Sequence, residues 1–167
     1  IVNAGLTTYN ESGDLLPELV FTSIEKNKVI LKGPLTTPIG GGFKSITVSL
    51  RSKYDLYANI RPVKNIGLIK SRYSNVDLTI FRENTEDLYL GIEEKISENE
   101  CHSLKVITKK ASYRIALKAF EYAKSEKRSK VTVVSKANIM KLTDGLFLDT
   151  VREVSKMFPY IQLEELL

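Results

Sequence analysis

Cationic side chains recur along residues 32–82 of this 167-residue chain in a pattern that suits a small polyanion. Arg51, Arg61 and Arg82 each lie at or near the end of a segment whose apolar pattern predicts a helix or strand. A guanidinium binds a carboxylate through two hydrogen bonds and keeps its charge when partly buried. The remaining members of this group are Lys32, Lys44 and Ser45. Any one arginine is as readily a surface residue, but the group predicts a pocket for a small, multiply negative ligand, which we interpret as a tricarboxylate.

Two further side chains, Tyr89 and Lys136, are candidates for proton transfer, since both residue types serve as general acids or bases. Taken alone, each is equally well explained as a structural hydrogen-bonding residue. The adjacent Cys101 and His102 do not predict a zinc site, because about four ligands at suitable spacing are needed. They also lack the third group that a Cys–His nucleophile requires.

The glycine run in IGGGFKS superficially resembles a phosphate-binding loop. Phe43 separates the glycines from Lys44, and the three glycines are contiguous, so neither the P-loop spacing nor the dinucleotide G-x-G-x-x-G spacing is met. The run therefore predicts a permissive turn that leads into a helix over residues 43–53. Ser45 would lie near the N-terminus of that helix, where backbone N–H groups favour an anion.

Composition narrows the class of protein. Apolar residues make up 43% of the chain, which predicts a folded core, and no apolar run reaches the roughly 18 residues of a membrane span. The net charge of +5 is modest, and its one dense cluster, KSEKRSK at residues 124–130, is interpreted as a solvated helix end. The alternative, a nucleic-acid patch, lacks interleaved aromatic residues. Neither a nucleic acid nor a membrane is therefore predicted as a partner, and the single cysteine suggests a reducing compartment.

Apolar periodicity predicts alternating strands and helices, and therefore an α/β fold rather than a helix bundle. Helices are predicted over residues 16–26, 43–53 and 111–126, and another is predicted to begin at a Thr143 cap. Strands are predicted over residues 28–33, 56–63, 76–81, 131–134 and 160–163. Two more strands, over residues 88–95 and 103–108, are predicted to pair antiparallel across the polar SENEC linker.

Long motifs in a fixed order carry a resemblance to a known family. They are KGPLTTPIGGGFKS followed by SLR, then DLYANIRP, RENTEDLY and KANIMKLTDGLF. Over essentially its whole length the chain resembles the decarboxylating β-hydroxyacid dehydrogenases, the isocitrate/isopropylmalate dehydrogenase family, and most closely the isocitrate-specific members. The resemblance implies an incomplete α/β sandwich with a β-hairpin arm used in dimerisation. It implies part of a large dinucleotide and substrate domain in residues 1–52, and a small dimerisation domain in residues 53–167 with the arm at about 88–108.

The resemblance also implies a role for each candidate residue. Ser45 would hydrogen-bond the γ-carboxylate that distinguishes isocitrate from isopropylmalate. Tyr89 would protonate C3 of the enol that remains after carbon dioxide departs, and Lys136 of the partner subunit would help remove the proton of the C2 hydroxyl. The other carboxylates would be clamped by Arg51, Arg61 and Arg82. Further substrate contacts would be Thr47 and Asn138, and contacts to the cofactor would be Lys32, Thr36 and Thr37.

Two positions depart from the family pattern. Thr47 and Ser135 stand where many relatives carry asparagine and histidine, respectively. Members of the family also begin before the residue that corresponds to Ile1 and continue past the one that corresponds to Leu167. The aspartates that bind Mg²⁺ or Mn²⁺ and the adenosine-binding loops are expected in that continuation, so no metal ligand is predicted here and this chain alone is expected to be inactive.

The implied activity is oxidative decarboxylation of isocitrate to 2-oxoglutarate with reduction of NAD or NADP. A homodimer or higher homo-oligomer with shared active sites is implied, in the cytoplasm or, for a eukaryotic protein, the mitochondrial matrix. One alternative is a relative that acts on homoisocitrate, isopropylmalate or tartrate. Another is a regulatory subunit that binds ligand without turnover, although such subunits usually lose some of the arginines, the tyrosine or the lysine retained here.

Overall fold

The structure is a computed structural model that describes residues 1–35, 45–67 and 69–167. Its helices are α1 (Leu6–Ser12), α2 (Glu18–Asn27), α3 (Ile46–Lys53), α4 (Lys109–Ser125) and α5 (Thr143–Ser155). Its strands are β1 (Ala58–Lys64), β2 (Asp77–Glu83), β3 (Glu93–Ser97), β4 (Glu100–Ser103), β5 (Lys130–Val134) and β6 (Gln162–Leu166). A 3₁₀ turn covers Asp87–Leu90. The contacts divide the chain into two units, Ile1–Tyr54 and Asp55–Leu167, and the domain roles implied by sequence stay predictions.

The first unit is helical in its described residues. Helix α2 begins after Pro17, and one face of it packs against α3 in a small apolar core. The buried members of that core are Val20, Ile24, Ile46 and Leu50. The strand predicted over residues 28–33 is wrong: these residues are irregular, and the Leu31 side chain is fully exposed. A β-branched and apolar run forms a strand only where another strand pairs with it, and none of the described strands does so.

The second unit combines three strand pairs with two helices. Strands β1 and β2 are antiparallel, and β5 and β6 are parallel. Helices α4 and α5 pack against β5, and the fully buried Phe120 stacks on Phe158 with ring centroids 5.4 Å apart. The buried core consists of Ala116, Phe120, Val133, Leu148, Val151 and Val154. Burial of one large apolar side chain such as Phe120 stabilises the fold by about 1.5–3 kcal/mol.

Several boundaries differ from the sequence predictions, and the strand predicted over residues 160–163 is β6, Gln162–Leu166. Thr143 is the first residue of α5 rather than its cap, and Leu142 occupies the cap position without a side-chain hydrogen bond. The predicted hairpin forms, but its strands are displaced along the sequence: β3 overlaps the predicted 88–95 only at residues 93–95, and β4 overlaps the predicted 103–108 only at Ser103. Pairing begins within the polar segment predicted as the linker, and Glu94 lies opposite His102. Residues 88–90 belong to the 3₁₀ turn because the Asp87 carboxylate accepts a hydrogen bond from the Leu88 N–H at 2.8 Å, which favours a turn over a strand.

Candidate functional site

Two of the predicted anion-binding arginines lie on one face of the β1–β2 pair. The antiparallel register sets Asn59 opposite Arg82 and Arg61 opposite Ile80, so all four side chains project to the same side. Arg61 and Arg82 are thus diagonal neighbours, a relation that brings long side chains within reach of one another. The Arg61 Nε donates a hydrogen bond to the Asn59 amide oxygen at 3.1 Å, and both arginines are exposed.

The opposite face of the strand pair is fixed to α4. The Phe81 and Tyr122 rings are 5.1 Å apart, and the Thr79 and Tyr122 hydroxyls form a 3.2 Å hydrogen bond. Because Phe81 precedes Arg82 in β2, this packing directs the Arg82 side chain away from α4.

Arg82 contacts the predicted proton donor. One of its terminal nitrogens donates a hydrogen bond to the Tyr89 hydroxyl, and its guanidinium carbon lies 4.6 Å from the centre of the Tyr89 ring. Tyr89 as a whole is 40% exposed, so its side chain is only partly covered by the rest of the chain. The structure therefore joins a cation and a phenol, the two residue types that the sequence assigned to carboxylate binding and to proton transfer.

The loop between Arg82 and Tyr89 is held by a charged network. The Glu83 carboxylate accepts hydrogen bonds from the Thr85 N–H at 2.6 Å and the Glu86 N–H at 3.0 Å. Arg114 of α4 donates to Glu83 at 2.9 Å and to both oxygens of Asp55 at 2.9 and 2.8 Å. Partial burial acts to lower the pKa of Arg114, but its bonds to Glu83 and Asp55 outweigh that effect and raise it. Arg114 thus ties this loop to α4 as a permanent cation.

A second tie fixes the far side of the loop. The Glu86 carboxylate accepts hydrogen bonds from the Thr108 hydroxyl at 2.6 Å and from the Thr108 N–H at 2.8 Å. The same hydroxyl caps α4 by accepting a bond from the Ala111 N–H at 3.2 Å. The Asp87 N–H donates to the Val106 carbonyl at 2.9 Å. The turn that presents Tyr89 is therefore docked on the N-terminus of α4.

The other predicted catalytic residue, Lys136, follows strand β5. Its backbone N–H donates to one oxygen of Asp144 at 2.6 Å, and the Lys105 ammonium donates to the other oxygen at 2.5 Å. Burial acts to raise the pKa of Asp144, but the bonds from Lys105 and from Lys136 outweigh it and hold the pKa below its usual value. The Lys136 side chain itself is exposed, as is that of Asn138.

A cavity of about 250 Å³ in the second unit is lined by both Arg82 and Tyr89. Lys105 and Asp144 also line it, whereas Lys136 and Asn138 do not. A larger cleft of about 700 Å³, between β2 and β5, contains none of the predicted site residues. The structure thus brings Arg82 and Tyr89 together, and within one chain it does not bring Lys136 to the same cavity.

The remaining predicted site residues lie in the first unit or outside the described ranges. Ser45 occupies the N-cap position of α3 without a side-chain cap bond, and Thr47 and Arg51 lie within that helix, half-buried. Lys32 is exposed, and its ammonium donates to the Gly33 carbonyl at 2.8 Å. The positions outside the described residues are Thr36, Thr37 and Lys44. The convergence of Ser45 and all three arginines on one pocket stays a prediction.

Residues 1–35, 45–67 and 69–167 contain no cluster of three His, Cys, Asp or Glu side chains that could hold a metal ion. The His102 ring contacts the Glu100 carboxylate at 2.7 Å on the exposed hairpin, and Cys101 is free and exposed. The described residues therefore do not fit a divalent cation.

Sequence reasoning did not find several of the residues that hold this site. They are Glu83, Glu86, Lys105, Arg114 and Asp144. A usable signal existed for two of them. Arg114 is a cation flanked by buried residues of α4, and Asp144 lies inside the KANIMKLTDGLF motif at the start of an amphipathic helix.

The paired strands and packed helices form an α/β fold, and the chain belongs to the isocitrate/isopropylmalate dehydrogenase family. The model of that family, described as isocitrate/isopropylmalate dehydrogenase, matches residues 1–167. The family and the incomplete α/β fold expected from the sequence are thereby confirmed. The use of the hairpin in dimerisation is not tested by this match and stays a prediction.

Individual relatives are similar along most of this chain. It is 49% identical over 150 residues to the probable mitochondrial NAD isocitrate dehydrogenase subunit alpha of Drosophila melanogaster, covering 90% of this chain and 40% of the relative. It is 51% identical over 157 residues to the mitochondrial NAD isocitrate dehydrogenase regulatory subunit 2 of Arabidopsis thaliana, covering 93% and 43%. The crystal structure of isocitrate dehydrogenase from Methylococcus capsulatus matches with a TM-score of 0.91 and 44% identity, covering 97% and 49%. The chain thus spans less than half the length of each.

Proposed function

We propose that the protein to which this chain belongs converts isocitrate to 2-oxoglutarate and carbon dioxide while it reduces NAD. The observation that carries the proposal is the contact of the Arg82 guanidinium with the Tyr89 hydroxyl, on the strand face that also presents Arg61. This arrangement supplies cations for carboxylates beside a group that can exchange a proton. The names of the relatives, which print NAD and isocitrate dehydrogenase, support the same reaction.

Each cation has a role in binding. Ser45 would bind the γ-carboxylate and select isocitrate over isopropylmalate, and the other carboxylates would be bound by Arg51, Arg61 and Arg82. Fixed cations hold the substrate in one orientation, and such positioning is worth several kcal/mol of the barrier. Thr47 and Asn138 would complete the contacts to the substrate.

Two side chains would move protons. Lys136 would help to remove the proton of the C2 hydroxyl as that carbon is oxidised, and Tyr89 would deliver a proton to C3 once carbon dioxide has left. The proton that Tyr89 gives up leaves negative charge on its oxygen, and the neighbouring Arg82 guanidinium would compensate that charge.

NAD would accept the hydride that leaves C2, and we propose it over NADP because the relatives are named for NAD. Lys32, Thr36 and Thr37 would contact it. Mg²⁺ or Mn²⁺ belongs to the proposal for the whole protein only, since the described residues do not fit either ion.

A steady-state assay of the full-length protein tests the proposal. We expect NAD reduction with isocitrate, and little with isopropylmalate, homoisocitrate, tartrate or NADP. Tyr89→Phe should lower kcat by about 10²-fold or more, the usual contribution of a proton-transfer group. The matched control is Tyr160→Phe, because the Tyr160 side chain is 97% exposed. Preference for isopropylmalate would overturn the role of Ser45, and an active Tyr89→Phe protein would overturn that of Tyr89.

A regulatory subunit is the second candidate, favoured by the 51% identity to a relative named as a regulatory subunit. Such a protein would bind isocitrate in calorimetry without reducing NAD on its own. It would raise the turnover of a catalytic partner when the two are mixed. Full turnover by the purified protein alone would exclude this candidate.

We propose that the active protein is at least a homodimer with composite sites, and that the β3–β4 hairpin serves as its arm. Lys136 of one subunit would then act beside Tyr89 of the other, so mixing Lys136→Ala and Tyr89→Phe proteins should restore part of the activity. Failure of every mixture to recover activity would contradict a shared site. The relatives are named as mitochondrial, which favours the matrix over the cytoplasm. Among the described residues, no helix is long and apolar enough to cross a membrane.

A further inference from the structure

We propose that Lys105 and Asp144 are positioning residues that fix two turns to each other. One is the turn at residues 135–140, called the Lys136 turn, and the other is the turn at residues 83–91 that carries Tyr89. The catalytic meaning of this link rests on the proposed function, whereas the link itself rests on contacts. Lys105 precedes α4, and Asp144 is the second residue of α5. Neither is a predicted ligand of substrate or cofactor.

Asp144 is the centre of the link. It is only 7% exposed, and each of its two oxygens accepts one bond, from the Lys136 N–H and from the Lys105 ammonium. A carboxylate withdrawn from water is costly unless it is paired and hydrogen-bonded, so this one favours a conformation in which both donors stay in place. The position of the Lys136 backbone is therefore coupled to the presence of the Lys105 charge.

Both backbone polar groups of Lys136 are hydrogen-bonded, and these bonds hold the Lys136 turn. Its N–H is bound to Asp144, and its carbonyl accepts bonds from the N–H groups of Ile139 and Met140 at 2.9 and 2.8 Å. The exposed ammonium therefore extends from a backbone that is fixed on both sides. Loss of the Asp144 charge would release one of these two anchors.

Lys105 extends the link to the other turn. Its ammonium also lies 3.7 Å from the Asp87 carboxylate, at the start of the 3₁₀ turn that contains Tyr89. The Lys105 side chain is 20% exposed and lines the same cavity as Tyr89. Without this cation, the Asp87 and Asp144 carboxylates would face one cavity with like charges, and their repulsion would favour separation of the two turns.

Hydrogen exchange of the full-length protein tests the link without any use of activity. Lys105→Met is compared with Lys109→Met, a matched control that removes an exposed ion pair between α4 and Glu153 of α5. We expect the amides of residues 87–91 and 135–140 to exchange about tenfold faster in Lys105→Met and at the native rate in Lys109→Met. Lys105→Arg, which keeps the charge, should restore protection. Native exchange in Lys105→Met would overturn the proposal.

Kinetics then separate positioning from a merely structural role. In Lys105→Met we expect kcat to fall about 10- to 100-fold, the size expected from a displaced catalytic group, while KM for isocitrate changes by less than about twofold. Equal losses in kcat of Lys105→Met and Lys109→Met, or a change confined to KM, would overturn positioning. Asp144→Asn, which preserves shape, should reproduce the loss; if it does not fold, Lys105→Arg and Lys105→Met still decide. A wild-type protein without turnover would refute the proposed function, and the exchange experiment would still test the link.

Discussion

The turn at residues 83–91 and the hairpin at residues 93–103 are neighbours in sequence but are stabilised in different ways. In the turn, Glu83 is bound by Arg114 and Glu86 is bound by Thr108, so both carboxylates are tied to α4 or its cap. In the hairpin, every residue of β3 and β4 is exposed. Its Lys95–Glu98 ion pair involves side chains that are 60% and 89% exposed.

The difference indicates what each segment is built for. A network of partly buried charges holds the Tyr89 turn in one conformation within a single chain. None of the described residues buries a side chain of β3 or β4, and an isolated two-stranded pair is marginally stable in water. The hairpin and the residues that adjoin it also expose apolar side chains: Ile92, Ile96 and Leu104. The turn is self-sufficient, whereas the hairpin gains most from a second surface, as its predicted role in dimerisation requires.

The largest expected effect comes from Arg114→Met, which breaks the network of the turn. The change leaves Glu83, whose side chain is 17% exposed, without its cation. We expect the free energy of unfolding to fall by about 3 kcal/mol, near the lower end of the cost of breaking a buried pair. Lys95→Met in the hairpin should cost less than about 0.5 kcal/mol. Urea denaturation measures both, and equal effects would contradict the comparison.

Thr108→Ala should have the next largest effect. It removes the hydroxyl that both caps α4 and donates to Glu86. Loss of such a cap costs about 1–2 kcal/mol, and Thr108→Ser should recover most of it. Urea denaturation of the two variants measures the difference, and a Thr108→Ala protein as stable as the wild type would show that the cap does not anchor the turn.

Acid should weaken the link that Asp144 makes between Lys105 and the backbone of Lys136. The pKa of Asp144 is lowered from 3.8 in the folded protein, so its contribution to stability is complete above about pH 4 and is lost as the pH falls through the folded-state pKa. The groups that face it are the Lys105 ammonium and the Asp87 carboxylate beyond it. In Asp144→Asn, the free energy of unfolding should fall less steeply below pH 4. Denaturation curves at several pH values test this, and parallel slopes would argue against it.

The smallest effect on the isolated chain is expected for Ile96→Ser in the hairpin. Ile96 is 45% exposed, so little apolar burial is lost, and the free energy of unfolding should change by less than about 0.5 kcal/mol. In the full-length protein the same change should weaken subunit association, measured by analytical ultracentrifugation. Unchanged association would remove this side chain from the arm.

Much of the fold could be predicted where one periodic pattern determines both structure and burial. Helix α4 and strand β5 lie within one or two residues of their predicted bounds, because their buried positions follow the periods of a helix and a strand. Residues 28–33 were predicted wrongly because a strand depends on a partner elsewhere in the chain. Residues 88–90 were predicted wrongly because the Asp87 carboxylate accepts a hydrogen bond from the N–H of Leu88. Apolar periodicity does not report such a bond.

The residues of the candidate site likewise fall into those that the sequence predicted and those that it did not. Arg82 and Tyr89 were found because they share one short motif, and the structure brings them into contact. Lys105 was not found, and Asp144 was not singled out within its motif, because their contact joins positions 39 residues apart. Charges that support a site from different elements become visible only after folding.

Asp87 combines two requirements that few amino acids satisfy together. Its backbone has a φ of +64°, the left-handed region that Gly, Asn and Asp tolerate best, and its carboxylate faces Lys105. Asparagine or glycine would fit the backbone but lose the charge, and glutamate would keep the charge at the cost of strain. In a saturation scan of this position, aspartate should therefore stabilise the turn more than any of the nineteen alternatives. The residue found here is a sensitive marker of whether a diverged sequence still forms the turn.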